Sequence, residues 1–220
     1  MTRPAPTRLA NVTIPGPVGP LEGVLQEREP GPPAFIAIAC HPHPSYGGTM
    51  HNKVVHRVAS TLHALGGAVL RFNFRGVGAS AGVYDQGAGE LEDARAALAF
   101  LRARYPRARC WVAGFSFGAW VAARLATSEP GIERMILVAP PVGSASFEAL
   151  HGSPVPKHVF QGTADDTCPI GLLESELPAW SEPRELIRVP GATHFFDKQL
   201  GTLADAMSQA LSGLAREGSS

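Results

Sequence analysis

The chain has 220 residues, 45% of them apolar and 17% charged, with 19 Lys and Arg balancing 19 Asp and Glu. That length supports one substantial core and is short for two ordinary domains, so a single domain over residues 1–220 is expected. Balanced charge provides no field to hold a polyanion or an anionic bilayer, which argues against nucleic-acid and membrane partners.

From the N-terminus, Met1 to Pro20 carries two arginines but no apolar segment long enough for the centre of a signal peptide. Asn11–Pro15 and Leu21–Glu27 are predicted as short strands joined by a Gly/Pro turn, an antiparallel edge hairpin. After Pro30 to Pro33 comes Ala34–Cys40, the longest apolar run. It is far too short to span a bilayer and reads as a strand covered on both faces. Met50, Val54, Val58, Leu62 and Leu65 recur at helical spacing until Gly66 and Gly67 stop the pattern. The unit repeats as strand Ala68–Phe74 with helix Leu91–Tyr105, then strand Arg109–Phe115 with helix Ser116–Ala126. Strands Arg134–Ala139, Lys157–Gln161 and Glu185–Val189 follow, and a helix of about Lys198–Arg216 closes the chain. Alternation of this kind implies an α/β fold with a mainly parallel sheet and helices on both faces. Ligands on such sheets bind beyond the carboxyl ends of the strands.

Cys40, Cys110 and Cys168 are an odd set without metal-ligand spacing, and the first two sit in apolar strands as small hydrophobes; a reducing cytoplasm is the expected compartment. Glu90, Glu92 and Asp93 near one end of a helix and Arg102, Arg104 and Arg107 near the other read as solvated termini that complement the helix dipole. Arg75 is read as tying down its loop rather than touching a substrate.

Two segments match G-x-S-x-G, a pattern that places an exposed serine on a sharp strand-to-helix turn. Gly114–Gly118 lies between a strand and the helical Ala119–Ala123, whereas Gly78–Gly82 runs into Val83, Tyr84, Asp85, Gln86 and Gly87, which do not read as a helix. Ser116 is therefore the candidate nucleophile and Ser80 a loop residue. The simpler role for Ser116 is a helix N-cap. A serine hydroxyl needs a base, and the base needs a carboxylate to fix its tautomer. Asp165 follows the strand ending at Gln161, with Asp166 assigned instead to capping the turn before Pro169, and His194 follows the last strand in a loop beginning at Gly191. The chain order Ser, Asp, His is the one found in α/β-hydrolases.

With these residues in place the sequence resembles the α/β-hydrolase superfamily, and within it small hydrolases that lack a cap domain and carry a His-Pro-His-Pro segment followed by Tyr-Gly-Gly. The matching segments are His41–Asn52, Phe72–Ser80, Gly114–Gly118, Gly162–Pro169 and Gly191–His194. Cys168 stands where similar proteins commonly have valine. The resemblance implies an esterase-like enzyme that cleaves a small or short-chain ester through Ser116, Asp165 and His194, with no cofactor and no metal. It also implies an oxyanion hole made of two backbone N–H groups, one from Phe117 and one from the His41–Pro44 segment. Pro42 and Pro44 have no N–H, so His43 is the choice if the hole lies within this tetrapeptide, with Ser45 and Tyr46 as alternatives beyond it. A metal held by His41, His43 and Asp165 is a weaker alternative than a structural His41. Only Pro140–Pro156 separates two of the strands, which leaves no room for a lid and predicts an open site flanked by Phe115, Phe117, Tyr46 and Met50. The same machinery would serve an acyltransferase or a thioesterase, and a non-catalytic ligand-binding protein is the rival from another class. Oligomeric state has no signature in the sequence.

Overall fold

The computed structural model describes residues 6–28 and 31–216. Met1–Ala5, in the segment read for export, and Pro30 lie outside them. The first two strands are longer than their sequence signal: β1 spans Thr7–Gly16 and β2 spans Gly19–Arg28, paired antiparallel from Thr7 opposite Arg28 to Gly16 opposite Gly19. Most of β1 is exposed, so its ends lack the apolar pattern from which a strand is read. Strands β3 (Phe35–Cys40), β4 (Gly67–Phe72), β5 (Arg109–Phe115), β6 (Ile132–Val138), β7 (Lys157–Gly162) and β8 (Arg184–Val189) are mutually parallel. All eight join one sheet in the order β1-β2-β4-β3-β5-β6-β7-β8.

Side chains alternate across this sheet as a period of two requires. On β3, Ile36, Ile38 and Cys40 face one core and Phe35, Ala37 and Ala39 the other. Helices α2 (Ala88–Arg104) and α3 (Phe117–Ser128) cover the first face with Ala94, Leu98, Val121 and Leu125. Helices α1 (Lys53–Ala64) and α5 (Leu200–Arg216) cover the second with Val55, Leu62, Leu203 and Met207. The ring of Phe35 stacks on Trp111 there at 3.9 Å. A short helix, α4 (Ile170–Glu176), follows β7.

Two boundaries moved for local reasons. Helix α1 starts at Lys53 because the Asn52 side chain accepts the N–H of Val54 at 2.9 Å, which leaves Met50 before the cap. Strand β4 stops at Phe72 because the Asn73 N–H turns to the Glu22 carbonyl and its Oδ1 takes the Met50 N–H.

The acidic start of α2 is not the solvated terminus expected from sequence. Glu90 and Asp93 are both fully buried. Glu90 accepts the N–H groups of Asp85 and Gly87. Asp93 receives the Arg75 backbone N–H at 2.9 Å and its guanidinium at 2.8 Å. These groups fix the loop between β4 and α2, as the structural reading of Arg75 anticipated. Arg104, at the other end, pairs with buried Glu27. Only Glu92 behaves as a surface acid, paired with Arg95.

The segment between β6 and β7 contributes a single 3-10 turn, Glu148–Leu150, and no lid. Among the described residues no helix is long and apolar enough to cross a membrane. A cavity of 640 Å³ lies at the amino ends of β3, β4 and β5, against Ala34, Gly67 and Arg109, which is the end of the sheet opposite Ser116. Removing the Asp93 carboxylate strands the buried Arg75, so Asp93→Ala is expected to cost about 3–5 kcal/mol in urea unfolding. An unchanged midpoint would show that the pair does not hold the loop.

Candidate active site

Strand β5 passes into α3 through Ser116, whose φ of 54° and ψ of −122° lie in a region that L-residues seldom occupy. Such a residue costs roughly 1–3 kcal/mol and persists only where its surroundings over-determine it. Here its N–H is held by the Val138 carbonyl at 2.9 Å, and its carbonyl accepts the Ala119 N–H at 2.8 Å. The turn is also too tight for side chains at its flanks. A Cβ on Gly114 would overlap the Gly118 carbonyl, and one on Gly118 would overlap the Cys40 carbonyl. The serine side chain makes no N-cap hydrogen bond, so the simple capping role does not account for it.

Instead Ser116 Oγ lies 3.1 Å from His194 Nε2, and His194 Nδ1 lies 2.9 Å from Asp165 Oδ2. The carboxylate divides its work. Oδ1 accepts the N–H groups of Thr167 and Cys168, while Oδ2 accepts Gln161 Nε2 and faces the imidazole. Asp165 therefore caps the turn that sequence reasoning had given to Asp166, whose carboxylate takes only a 3.4 Å bond from Thr167 Oγ1. The loops after β7 and β8 are stitched to one another. Ala164 N–H reaches the Ala192 carbonyl at 3.0 Å, Gly191 N–H reaches Thr163 Oγ1 at 2.7 Å, and Gly191 itself has φ +67°. Lys53 pairs with Asp197 and lies over the Phe195 ring, tying α1 to the histidine loop.

Ser80, in the second G-x-S-x-G segment, is used quite differently. Its hydroxyl donates to the Asn73 carbonyl at 2.7 Å and accepts the Glu22 N–H at 3.0 Å.

Beside the serine, Phe117 is the first residue of α3, where a helix start leaves N–H groups without an intrahelical acceptor. The His43 ring packs on the Phe117 ring at 4.9 Å, bringing the His-Pro-His-Pro loop alongside the elbow. Nδ1 of His43 accepts the Ser45 N–H, which leaves the ring proton on Nε2 for donation to Tyr84 Oη at 3.0 Å. Tyr46 stands at this rim 88% exposed and within 4.7 Å of the His43 ring. Phe115 and Met50 do not line the opening as expected. Phe115 is fully buried and supports the His194 ring from 5.0 Å. Met50 is 1% exposed, with its backbone bound to Asn73 and Arg71.

His41, fully buried, donates through Nδ1 to the Pro42 carbonyl at 2.6 Å and accepts the Phe74 N–H at Nε2. Both nitrogens are spent, so His41 and His43 do not gather with Asp165 around a metal. Burial pushes the His41 pKa down to about 4. The same cause raises the Cys168 thiol to about 12, aided by the nearby Asp165 charge. Sequence reasoning missed Gln161, which is fully buried at the end of β7 and binds both Asp165 and the Cys168 carbonyl. Its signal was a polar residue in an otherwise closed strand end, next to a glycine whose Cβ would strike the Ala192 carbonyl.

Comparison with known proteins gives a family and a fold. The model of the Hydrolase_4 family, described as serine aminopeptidase, S33, matches residues 40–180. An α/β serine hydrolase without lid from Xanthomonas campestris is 38% identical with a TM-score of 0.88, over 97% of this chain and 98% of that one. An alpha-beta serine hydrolase homologue from Coxiella burnetii is 39% identical with a TM-score of 0.88, over 92% and 97%. An uncharacterised protein of Rickettsia prowazekii is 37% identical over 205 residues, 89% of this chain and 86% of its own length.

Two outcomes follow for stability. Gly114→Ala is expected to destabilise the fold by about 2–4 kcal/mol, since the Gly118 carbonyl is backbone and cannot swing aside. A neutral melting temperature would contradict it. His41 protonates near pH 6.5 in the unfolded chain and near 4 in the folded one, so the unfolded state binds the extra proton between these values. Stability should therefore be constant in this term above pH 6.5 and fall by a few kcal/mol as pH drops to 4. His158, also pushed to about 4, adds a similar slope. A pH series of urea melts on wild type and His158→Gln should show the shallower slope in the variant.

Proposed function

Because the chain belongs to the Hydrolase_4 family and has the lidless α/β serine hydrolase fold, we propose that it cleaves small or short-chain carboxylic esters through an acyl-enzyme on Ser116. One observation carries this reading. The hydroxyl that could have capped α3 is turned instead into an unbroken chain of hydrogen bonds, Ser116 to His194 to Asp165.

In the proposed reaction Ser116 Oγ attacks the ester carbonyl carbon while His194 Nε2 takes its proton. The electron pair of the carbonyl moves to oxygen, where the backbone N–H groups of Phe117 and His43 would stabilise it. Collapse expels the alcohol, which leaves with the proton from His194. Water then attacks the acyl-enzyme by the same route and restores the serine. Asp165 holds Nδ1–H and stabilises the imidazolium, and its two oxygens are already oriented by three other donors. The chemistry needs no cofactor.

A small substrate is favoured because nothing folds over the serine after β6, so a long acyl chain would remain in water. Exposed Tyr46 and Phe195 offer a short apolar rim on two sides. We further propose that residues 1–220 form one domain, since a single sheet orders all the site residues.

A fluorophosphonate probe and short-chain nitrophenyl esters test the reading directly. Wild type and Ser80→Ala should both label and turn over, while Ser116→Ala should lose label and about 10⁴-fold or more in kcat/KM. If wild type neither labels nor turns over, a ligand-binding protein on the hydrolase fold becomes the better account.

A further inference from the structure

We propose that Tyr84 is a positioning residue of the oxyanion hole: through the His43 ring it holds the backbone N–H of His43 in place as a donor. The catalytic part of this inference rests on the hydrolase reading; the bracing of the loop does not. Hydrogen bonds within the loop narrow the donor to His43. The Ser45 N–H goes to His43 Nδ1 at 3.1 Å and the Tyr46 N–H to the His43 carbonyl at 3.1 Å. Gly47 and Gly48 donate to the carbonyls of Pro44 and His43. Among the described residues the His43 N–H has no acceptor, and neither has the N–H of Phe117 at the start of α3. Loop and elbow touch, since a Cβ on Gly118 would lie 2.2 Å from the Cys40 carbonyl oxygen and 2.6 Å from that of His41.

An N–H stabilises a developing oxyanion only if its peptide plane is already fixed. The Pro42–His43 peptide is held on one side through its carbonyl, which accepts buried His41 Nδ1 at 2.6 Å and leaves no room for a Cβ at Gly48. In a trans peptide the N–H points away from that carbonyl. On the other side stands the His43 side chain. Pro44 confines His43 to extended backbone, φ −51° and ψ 122°, and the ring folds back to accept the Ser45 N–H. Its remaining nitrogen, Nε2, donates to Tyr84 Oη at 3.0 Å, the one polar link from this ring to a distant part of the chain among the described residues.

Tyr84 is a firm anchor because the chain on both sides of it is tied down. The Ala81 N–H binds the Pro20 carbonyl, the Ala81 carbonyl accepts the Gly76 N–H, and the N–H groups of Asp85 and Gly87 bind buried Glu90. The rings of Tyr46, Tyr84 and Phe117 surround His43 at 4.7, 4.9 and 4.9 Å. Ring contacts of this kind tolerate sliding and rotation, whereas a hydrogen bond is directional. The Tyr84 oxygen therefore sets the depth and rotation of the His43 ring, and the ring in turn holds the peptide.

The test compares Tyr84→Phe, which keeps the ring contacts, with His43→Asn, whose Oδ1 can still accept the Ser45 N–H but cannot reach Tyr84. On nitrophenyl esters each should lower kcat by about 10- to 100-fold with KM unchanged, short of the loss for a deleted donor. The inhibition constant of a trifluoromethyl ketone, whose serine adduct carries an oxyanion, should rise by a similar factor. The double variant should be no slower than either single one. An unchanged kcat in Tyr84→Phe overturns the proposal, as does a rise in KM alone or an unmoved inhibition constant. A Tyr84→Phe loss that persists in the His43→Asn background also overturns it, because Tyr84 would then act without His43. Nuclear magnetic resonance reads the brace without catalysis. The His43 amide should have an order parameter of about 0.85 in wild type and clearly less in Tyr84→Phe. If wild type neither labels with fluorophosphonate nor turns over, the hydrolase reading fails, while an amide equally ordered in both proteins would remove the brace itself.

Discussion

Everything at the carboxyl end of the sheet depends on how closely three stretches of backbone approach one another at the β5–α3 turn. Gly118 rests on the Cys40 carbonyl, Gly114 on the Gly118 carbonyl, and the Ser116 N–H on the Val138 carbonyl. These contacts join the ends of β3, β5 and β6 into one rigid seat. Because the seat is made of main chain, side-chain rearrangement cannot relax it, and the strained φ of Ser116 is held in place rather than relieved.

The second half of the site is attached to that seat through a different device. Asp165 and His194 belong to loops that follow neighbouring parallel strands, and the loops exchange hydrogen bonds through Thr163, Ala164, Gly191 and Ala192. Asp165 is fixed by donors from its own turn and from Gln161, so the histidine meets an acceptor whose position was settled without it. Phe115 beneath the ring sets its height. A substrate would find the polar groups already aimed, which limits the reorganisation that the proposed chemistry requires.

Much of this was legible in the sequence because it is periodic or punctuated. The parallel strands read as closed apolar runs, and the elbow was separable from its twin at Ser80 by the helix that follows it. What escaped was set by partners distant in the chain. Glu90 and Asp93 read as surface acids until Arg75 and the N–H groups of Asp85 and Gly87 were seen to surround them. Met50 fits the helical spacing, yet Asn52 caps the helix after it and Asn73 draws its backbone inward. Phe115 sits at the end of a strand, but strand alternation turns it under the histidine, where it supports the site without facing the opening. Asp165 and Asp166 differ only in which one a particular turn directs inward.

The sheet ends in two edge strands, each paired on its inner side alone, and they are guarded unequally against recruiting a neighbour. On β8, Arg184, Glu185 and Arg188 follow closely along a six-residue strand, so a second chain adding there would have to strip water from several charges. On β1 the ladder is ten residues long and mixes Arg8, Asn11 and Thr13 with exposed Leu9, and Pro15 near its tip has no N–H to offer. An added strand would therefore meet fewer charges along the hairpin edge, which carries Arg8 alone, than along β8 at the opposite edge of the sheet.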